Sequence, residues 1–179
     1  MTAIVDSNGK PLFLISGDEK TALLNIPEGC IAVHNPPSTN VYYQDGWVEM
    51  APQPTPFHEF DYITKEWVDP RSLDEIKAQK WAEIKSQRDI LEFGGFEYKG
   101  NVYDSDQVSQ GRILGAATAG IDQVWTLADN TTVELSASQL QQLYAALQAH
   151  IASVHERGRI ARQLIFEAET KEQVEAINL

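Results

Sequence analysis

The chain has 179 residues, of which 42% are apolar, and it carries a net charge of −12. That length fits one domain or two small ones with a buried core, and the apolar share excludes global disorder. The charge is even: residues 1–71 hold 10 acids against 4 bases and residues 72–179 hold 16 against 10, so each part carries −6. With no basic patch in either part, a phosphate backbone would be repelled, and a nucleic-acid partner is not expected. The longest apolar runs fall far short of the ~20 residues of a membrane span, so no membrane partner is expected either. The N-terminus lacks a basic segment followed by an apolar one, so no secretory signal is expected. The single Cys30 has no partner for an internal disulfide, which is compatible with a reducing compartment.

All eight prolines lie in the first 70 residues. Proline lacks a backbone N–H and is kept out of helix interiors and central strands, so the front is read as short strands and loops and the rear as mainly helical. Thr2 to Ser16 reads as a hairpin, with Ala3–Val5 and Leu12–Ile15 flanking Asn8-Gly9. Pro11 then calls for an edge strand. Ile31–Val33 is a third strand, closed by Pro36-Pro37. Two similar segments follow. Val41 to Glu49 is two short strands around Asp45-Gly46. Phe60 to Asp69 repeats the design: aromatics, an acidic turn region, then Trp-Val-acid. Pro52, Pro54 and Pro56 make the segment between them a stiff extended strap.

Ser72 to about Phe93 reads as a helix. Leu73, Ile76, Ile84 and Leu91 fall near helical spacing, with Trp81 on or beside that face. Ser72 and Glu75 form a capping box, and Gly94-Gly95 is the stop. Phe96–Tyr98 and Asn101–Tyr103 form a hairpin around Lys99-Gly100. A helix is then expected from Asp104, as N-cap, to about Gly120. Gly111 and Gly115 inside it cost stability, and their four-residue spacing points to a closely packed helix. Val124 to Leu135 is another hairpin, turning at Asp129-Asn130. Ser136/Gln139 and Thr170/Gln173 are further capping boxes. They open a long seam (Leu140, Leu143, Leu147, Ile151, Val154, Ala161, Ile165), interrupted by Gly158, and a short last helix with Val174 and Ile177. The fold class is α+β: N-terminal hairpins and a Pro-rich strap, then a mainly helical C-terminal part containing two hairpins.

The residues with chemistry form no reactive pattern. His150 and His155 are five apart, about 140° on a helix, where a metal pair wants three or four. A capping or core-rim role suits His150 better. Cys30 has His34 four residues on, but no pattern supplies an oxyanion hole or an orienting acid. Asn101, Asp104 and Asp106 resemble a fragment of a calcium loop without its glycine and final glutamate. Arg157, Arg159 and Arg162 form a basic stretch, read first as a solvated face and second as a contact for an acidic partner. No catalytic residue, cofactor or metal is therefore expected. The surplus lies in the aromatics: Tyr42, Tyr43, Trp47, Phe57, Phe60, Tyr62 and Trp67 crowd into 26 residues. Either they cover the chain's own helices or they face a partner, as aromatic anchors do at interfaces.

One resemblance covers about half the chain. Gly95-Phe96-Glu97-Tyr98-Lys99-Gly100, Tyr103-Asp104-Ser105-Asp106, Ser109-Gln110, Arg112-Ile113, Trp125, Asp129 and Val133–Leu135 carry its first part. Leu140, His150, Arg162 and Thr170-Lys171-Glu172-Gln173 carry the rest. In their order and spacing these resemble an uncharacterised domain family of tailed bacteriophages, known by a domain-of-unknown-function label. The front resembles the short Trp-Val hairpins that precede it there. The resemblance implies three parts: a docking region over 1–70, a connecting helix over 71–93 and a tail-associated α+β domain over 94–179. It implies a non-enzymatic virion tail component, made in the host bacterial cytoplasm. Such a tail-fibre or baseplate adaptor would dock to other tail proteins and be oligomeric in the assembly. The runner-up is a tail-fibre assembly chaperone that does not stay in the particle. A cell-wall-acting enzyme is the third reading, and it would need two placed carboxylates. The family supplies no catalytic residues to carry over.

Overall fold

The structure, a computed structural model, describes residues 1–16, 24 and 26–179. The chain divides into two compact units, Met1–Arg71 and Ser72–Leu179. The architecture is α+β, with short antiparallel hairpins at the front and a helical region with further hairpins behind.

In the first unit, β1 (Thr2–Val5) is the centre of a three-stranded antiparallel sheet, between β2 (Pro11–Ile15) and β3 (Ile31–His34). Pro11 is thus on an edge strand, as its missing N–H demands. Thr2, Ala3, Ile4 and Val5 are all buried. Two hairpins follow: β4 (Val41–Tyr43) with β5 (Trp47–Glu49), and β6 (Glu59–Asp61) with β7 (Glu66–Val68). The sheet is fastened to the first of them through its own turn. Tyr43 N–H donates to the Gly9 carbonyl at 2.9 Å. Gly9 sits at φ +77°, and a Cβ there would lie 2.1 Å from the Tyr43 carbonyl oxygen, so both the backbone angle and the close approach require glycine.

In the second unit, α1 (Leu73–Phe93) starts on the expected capping box and stops at Gly94. It is followed by hairpin β8 (Phe96–Tyr98) and β9 (Asn101–Tyr103), α2 (Gln107–Ala119), hairpin β10 (Gln123–Thr126) and β11 (Thr132–Leu135), α3 (Ala137–Glu167) and the short α4 (Lys171–Glu175). Both remaining capping boxes, at Ser136 and Thr170, are formed. The segment read as a connecting helix packs within this unit. Its Ile84 is buried with Ala161, Ile165 and Ile177, and its Ile76 with Ala168 and Val174.

Helix α3 is a spine shared by two cores. Its first half lends Leu140, Leu143 and Leu147 to a cluster with Phe96, Tyr103, Ile113 and Leu135. Its second half lends Ala161 and Ile165 to the cluster on α1. Gly158, read as an interruption of the seam, is part of it. It is buried, with the Arg88 side-chain stem 3.4 Å from where a Cβ would stand.

Two expectations fail here. The N-cap of α2 is Asp106, not Asp104: the Asp106 carboxylate accepts from Val108 and Ser109 N–H. The helix starts later because Ser105, buried after β9, is held by hydrogen bonds to residues ahead of it. The Ser105 hydroxyl donates to the Glu92 carbonyl at 2.5 Å and accepts from Gly95 N–H at 2.9 Å. Nor do Gly111 and Gly115 mark a tight contact. Both are exposed, and a Cβ at either would meet nothing within 4 Å. The packed face of α2 carries Ile113, Ala116 and Ala117 instead.

Candidate functional site

The two hairpins of the first unit bring most of the front aromatics together. Phe60, on β6, is the hub. It stacks on Tyr42 of β4 with ring centroids 5.4 Å apart, and takes Tyr62 and Trp67 edge-on at 5.0 and 5.4 Å. Cross-strand pairing sets part of this, because Phe60 lies opposite Trp67 in the register, and Tyr43 lies opposite Trp47. Tyr43 and Trp47 pack edge-on at 5.5 Å. Offset and edge-to-face contacts of this kind suit the ring quadrupoles and add to the burial of area. The six rings other than Phe57 are half-buried, and Phe57 is exposed. All of these aromatics except Phe57 are therefore packed on another ring within their own unit, and each of the six is a half-buried residue.

Both indoles are tied down at their polar ends. Trp47 Nε1 donates to the His34 carbonyl at 2.9 Å, and Trp67 Nε1 donates to the Ala51 carbonyl at 2.8 Å. The second bond anchors the proline strap to β7. A partner would therefore meet ring surface and not indole N–H. Phe57 stands apart from the other rings, under the Arg71 guanidinium at 3.9 Å. That guanidinium is itself forked onto Asp69, with Nε 2.9 Å from Oδ1.

Sequence reasoning missed Lys65. It sits at φ +64° in the β6–β7 turn and is half-buried. Its ammonium donates to the Tyr62 carbonyl at 2.6 Å and to the Asn8 carbonyl, and stands 5.0 Å from the centre of the Tyr42 ring. One cation thereby joins the β1–β2 turn, the β6–β7 turn and the aromatic stack. Lys10 adds a second cation 5.6 Å from the Tyr62 ring. Burial, and after it the charge of Asp6, pushes the Tyr62 phenol above its usual range. In the same turn the Ile63 N–H holds the Asp61 carboxyl below its usual range. A depression of about 430 Å³ opens beside Lys65, between Tyr43, Tyr62 and Asp6. A lysine flanked by tyrosines has no signature in a sequence. The one local sign was the Asp-x-x-x-Lys spacing of a tight turn.

The remaining singled-out residues are not gathered into a reactive site. Cys30 is half-buried, while His34 Nδ1 lies 2.8 Å from the Thr2 hydroxyl. His58 is engaged with the Thr55 hydroxyl at 2.8 Å. His150 has its Nε2 2.9 Å from the Leu91 carbonyl and its ring stacked on Phe96, which is the core-rim role. His155 meets the Glu92 carboxylate at 2.9 Å. Among the described residues, no three His, Cys, Asp or Glu side chains are grouped as metal ligands. The three arginines of α3 are dispersed: Arg157 donates to the Leu179 carbonyl, Arg159 pairs with Glu156, and Arg162 lies over the Trp81 ring. No helix of the described residues is long and apolar enough to cross a membrane.

No curated protein matches this chain, and no solved structure does. Residues 75–178, which cover the hairpins and helices of the second unit nearly end to end, match the family described as Domain of unknown function (DUF4376). That match takes in more than half of the chain, and the protein belongs to this family.

Proposed function

We propose that the protein is a non-enzymatic component of a bacteriophage tail. In this reading it is a tail-fibre or baseplate-associated adaptor, and it docks to other tail proteins through the aromatic hairpins of its first unit. The observation that carries the docking is the Phe60-centred cluster. It places Tyr42, Tyr62 and Trp67 around one ring, with all four residues only half-buried. Large, rigid, partly exposed aromatics on a hydrogen-bonded scaffold are what interface anchors consist of. The tail assignment is supported by the resemblance of the rear half to a domain of tailed bacteriophages. Mass spectrometry of purified particles tests it. The chain is expected among virion proteins, and its absence would make it an assembly factor.

Docking has its own test. Trp47→Ala with Trp67→Ala should weaken binding to the tail partner by about 2 kcal/mol or more per anchor, roughly thirtyfold each. Far-UV circular dichroism should show the helical second unit still folded. Unchanged binding with a large loss of stability would leave the two tryptophans as structural only.

A further inference from the structure

In the second unit, a cleft of about 590 Å³ runs between α2 and β10. Five consecutive residues from Gln123 to Leu127 line it, and none of β11 does. A cleft against a sheet face would meet alternate residues of both strands. Consecutive residues of one strand mark its edge instead. β10 pairs only with β11, so this edge is open. The ladder shows which groups it presents. Leu127 N–H donates to the Thr131 carbonyl at 2.8 Å, and alternation along an antiparallel pair then turns the N–H and C=O of Val124 and Thr126 outward. Ala128, in the turn beyond the end of β10, donates its N–H to the Val102 carbonyl of β9 at 3.1 Å, so that contact lies outside the open edge.

Folded proteins blunt exposed edges with proline, lysine or a bulge. β2, the comparable edge of the first unit, has Pro11, follows Lys10 and faces a register shift at Ile4/Val5. β10 is Gln-Val-Trp-Thr in unbroken register, and Val124 is 66% exposed. The opposite wall allows a chain to approach closely, since a Cβ on Gly115 would meet nothing within 4 Å. The cleft holds one cation and one acid, Arg112 and Asp104; Arg112 is exposed and makes no ion pair among the described residues, so its charge is not spent on Asp104.

We propose that this cleft is a strand-addition site, in which an extended acidic segment of a partner protein pairs with the open edge of β10 and sets a carboxylate on Arg112. The backbone edge selects an extended chain over a helix, and the unpaired guanidinium selects an acid at one position. The site shares no residue with the aromatic hairpins, so it stands or falls separately from the docking described above.

The test pans the full-length protein against a random linear dodecapeptide library and then uses the enriched peptides as synthetic probes. Enriched sequences should alternate β-branched or aromatic residues and carry Asp or Glu. Arg112→Glu, at an exposed helix position, should leave the circular dichroism unchanged. It should weaken the peptide roughly tenfold or more, and a peptide with Lys in place of its acid should recover. Methylating alternate backbone nitrogens of the peptide should abolish binding for the set that faces β10 and spare it for the other set. No enrichment, or enriched peptides indifferent to both the methylation and Arg112→Glu, would overturn the proposal. So would a concentration-dependent dimer in sedimentation that Val124→Lys abolishes, because a second copy would then hold the edge.

Discussion

The two units solve the problem of cohesion differently. The second has three clusters of buried aliphatic and aromatic side chains, spread along 31 residues of α3 and 21 of α1. The first has few fully buried apolar residues among those described: Ala3, Ile4, Val5 and Val41. Its remaining cohesion comes from half-open rings and directed polar contacts: the Phe60 hub, two indole hydrogen bonds and the Lys65 ammonium. Burial is non-directional and forgives small changes of shape, whereas ring contacts and hydrogen bonds to carbonyls depend on geometry. The second unit should therefore lose stability in proportion to volume removed, and the first should be sensitive to backbone displacement.

The largest effect expected is in the second unit. Leu143→Ala empties the centre of the cluster with Phe96 and Ile113, where Leu143 is 0% exposed, and should cost about 3 kcal/mol. Every helix of the described residues lies in this unit, so urea denaturation followed by far-UV circular dichroism reads the loss. A cost below about 1 kcal/mol would mean that this core is loosely packed.

In the first unit the corresponding change adds a single methyl group and removes nothing. Gly9→Ala forces the Asn8-Gly9 turn away from Tyr43 and disfavours the φ of +77°, and should cost about 2 kcal/mol. Limited proteolysis should cut residues 1–71 faster while the helical signal persists. Equal protection of wild type and variant would show that the Tyr43–Gly9 contact does not order the unit.

These outcomes bear on how much could be read from the chain. The hairpins, the capping boxes and the seam of α3 were legible because each rests on local spacing: turn dipeptides, an N-cap with its partner three residues on, and apolar residues at helical intervals. What the spacing could not convey was direction. Gly111 and Gly115 look like a contact stripe, yet they point to open space, because the neighbouring Ile113, Ala116 and Ala117 take the packed face. Asp104 and Asp106 are equal as caps until Ser105 is buried between them. For the aromatics, the sequence offers helices or a partner to cover them, whereas the structure packs most of them on one another. That packing depends on two hairpins meeting across a strap, which no window of sequence contains. The role of Lys65 was missed for the same reason.

Gly111→Ala follows from the misread direction, and its effect is smaller and opposite in sign. With open space around it in the middle of α2, alanine should stabilise the second unit by about 0.5–1 kcal/mol, seen as a rise in the midpoint of thermal unfolding. A destabilised variant would show that this face of α2 is covered.

The smallest contrast expected is with acid, where the two units should behave alike. Asp61 in the first is held low chiefly by the Ile63 N–H. In the second, Asp106 is held low by the Ser109 hydroxyl and Asp129 by the Thr131 hydroxyl. A carboxyl lower in the folded than in the unfolded chain adds stability that is present above its unfolded value, about 3.9 for Asp. That stability is lost as pH falls through the lower folded value. Thermal midpoints should thus hold from pH 7 to about 5 and fall below about 4. Asp106→Asn should flatten the fall for the helical unit.

The Ser105 hydroxyl gives the chain a property that bears on insertions. By holding the Glu92 carbonyl and the Gly95 amide together, it closes residues 92–105 into a ring with the β8–β9 hairpin inside. The two-stranded β8–β9 sheet has no third strand, and the closure at its base adds to the hold of Phe96 and Tyr103 in the core and of Tyr98 and Lys99 on Gln142. Residues added at the Lys99-Gly100 tip lengthen the ring on the side away from its clasp and leave the hydroxyl in place. A single residue added between Glu92 and Gly95 separates the two groups that one oxygen must reach. Length variation should therefore be tolerated at the exposed tip of this hairpin and excluded at its buried base.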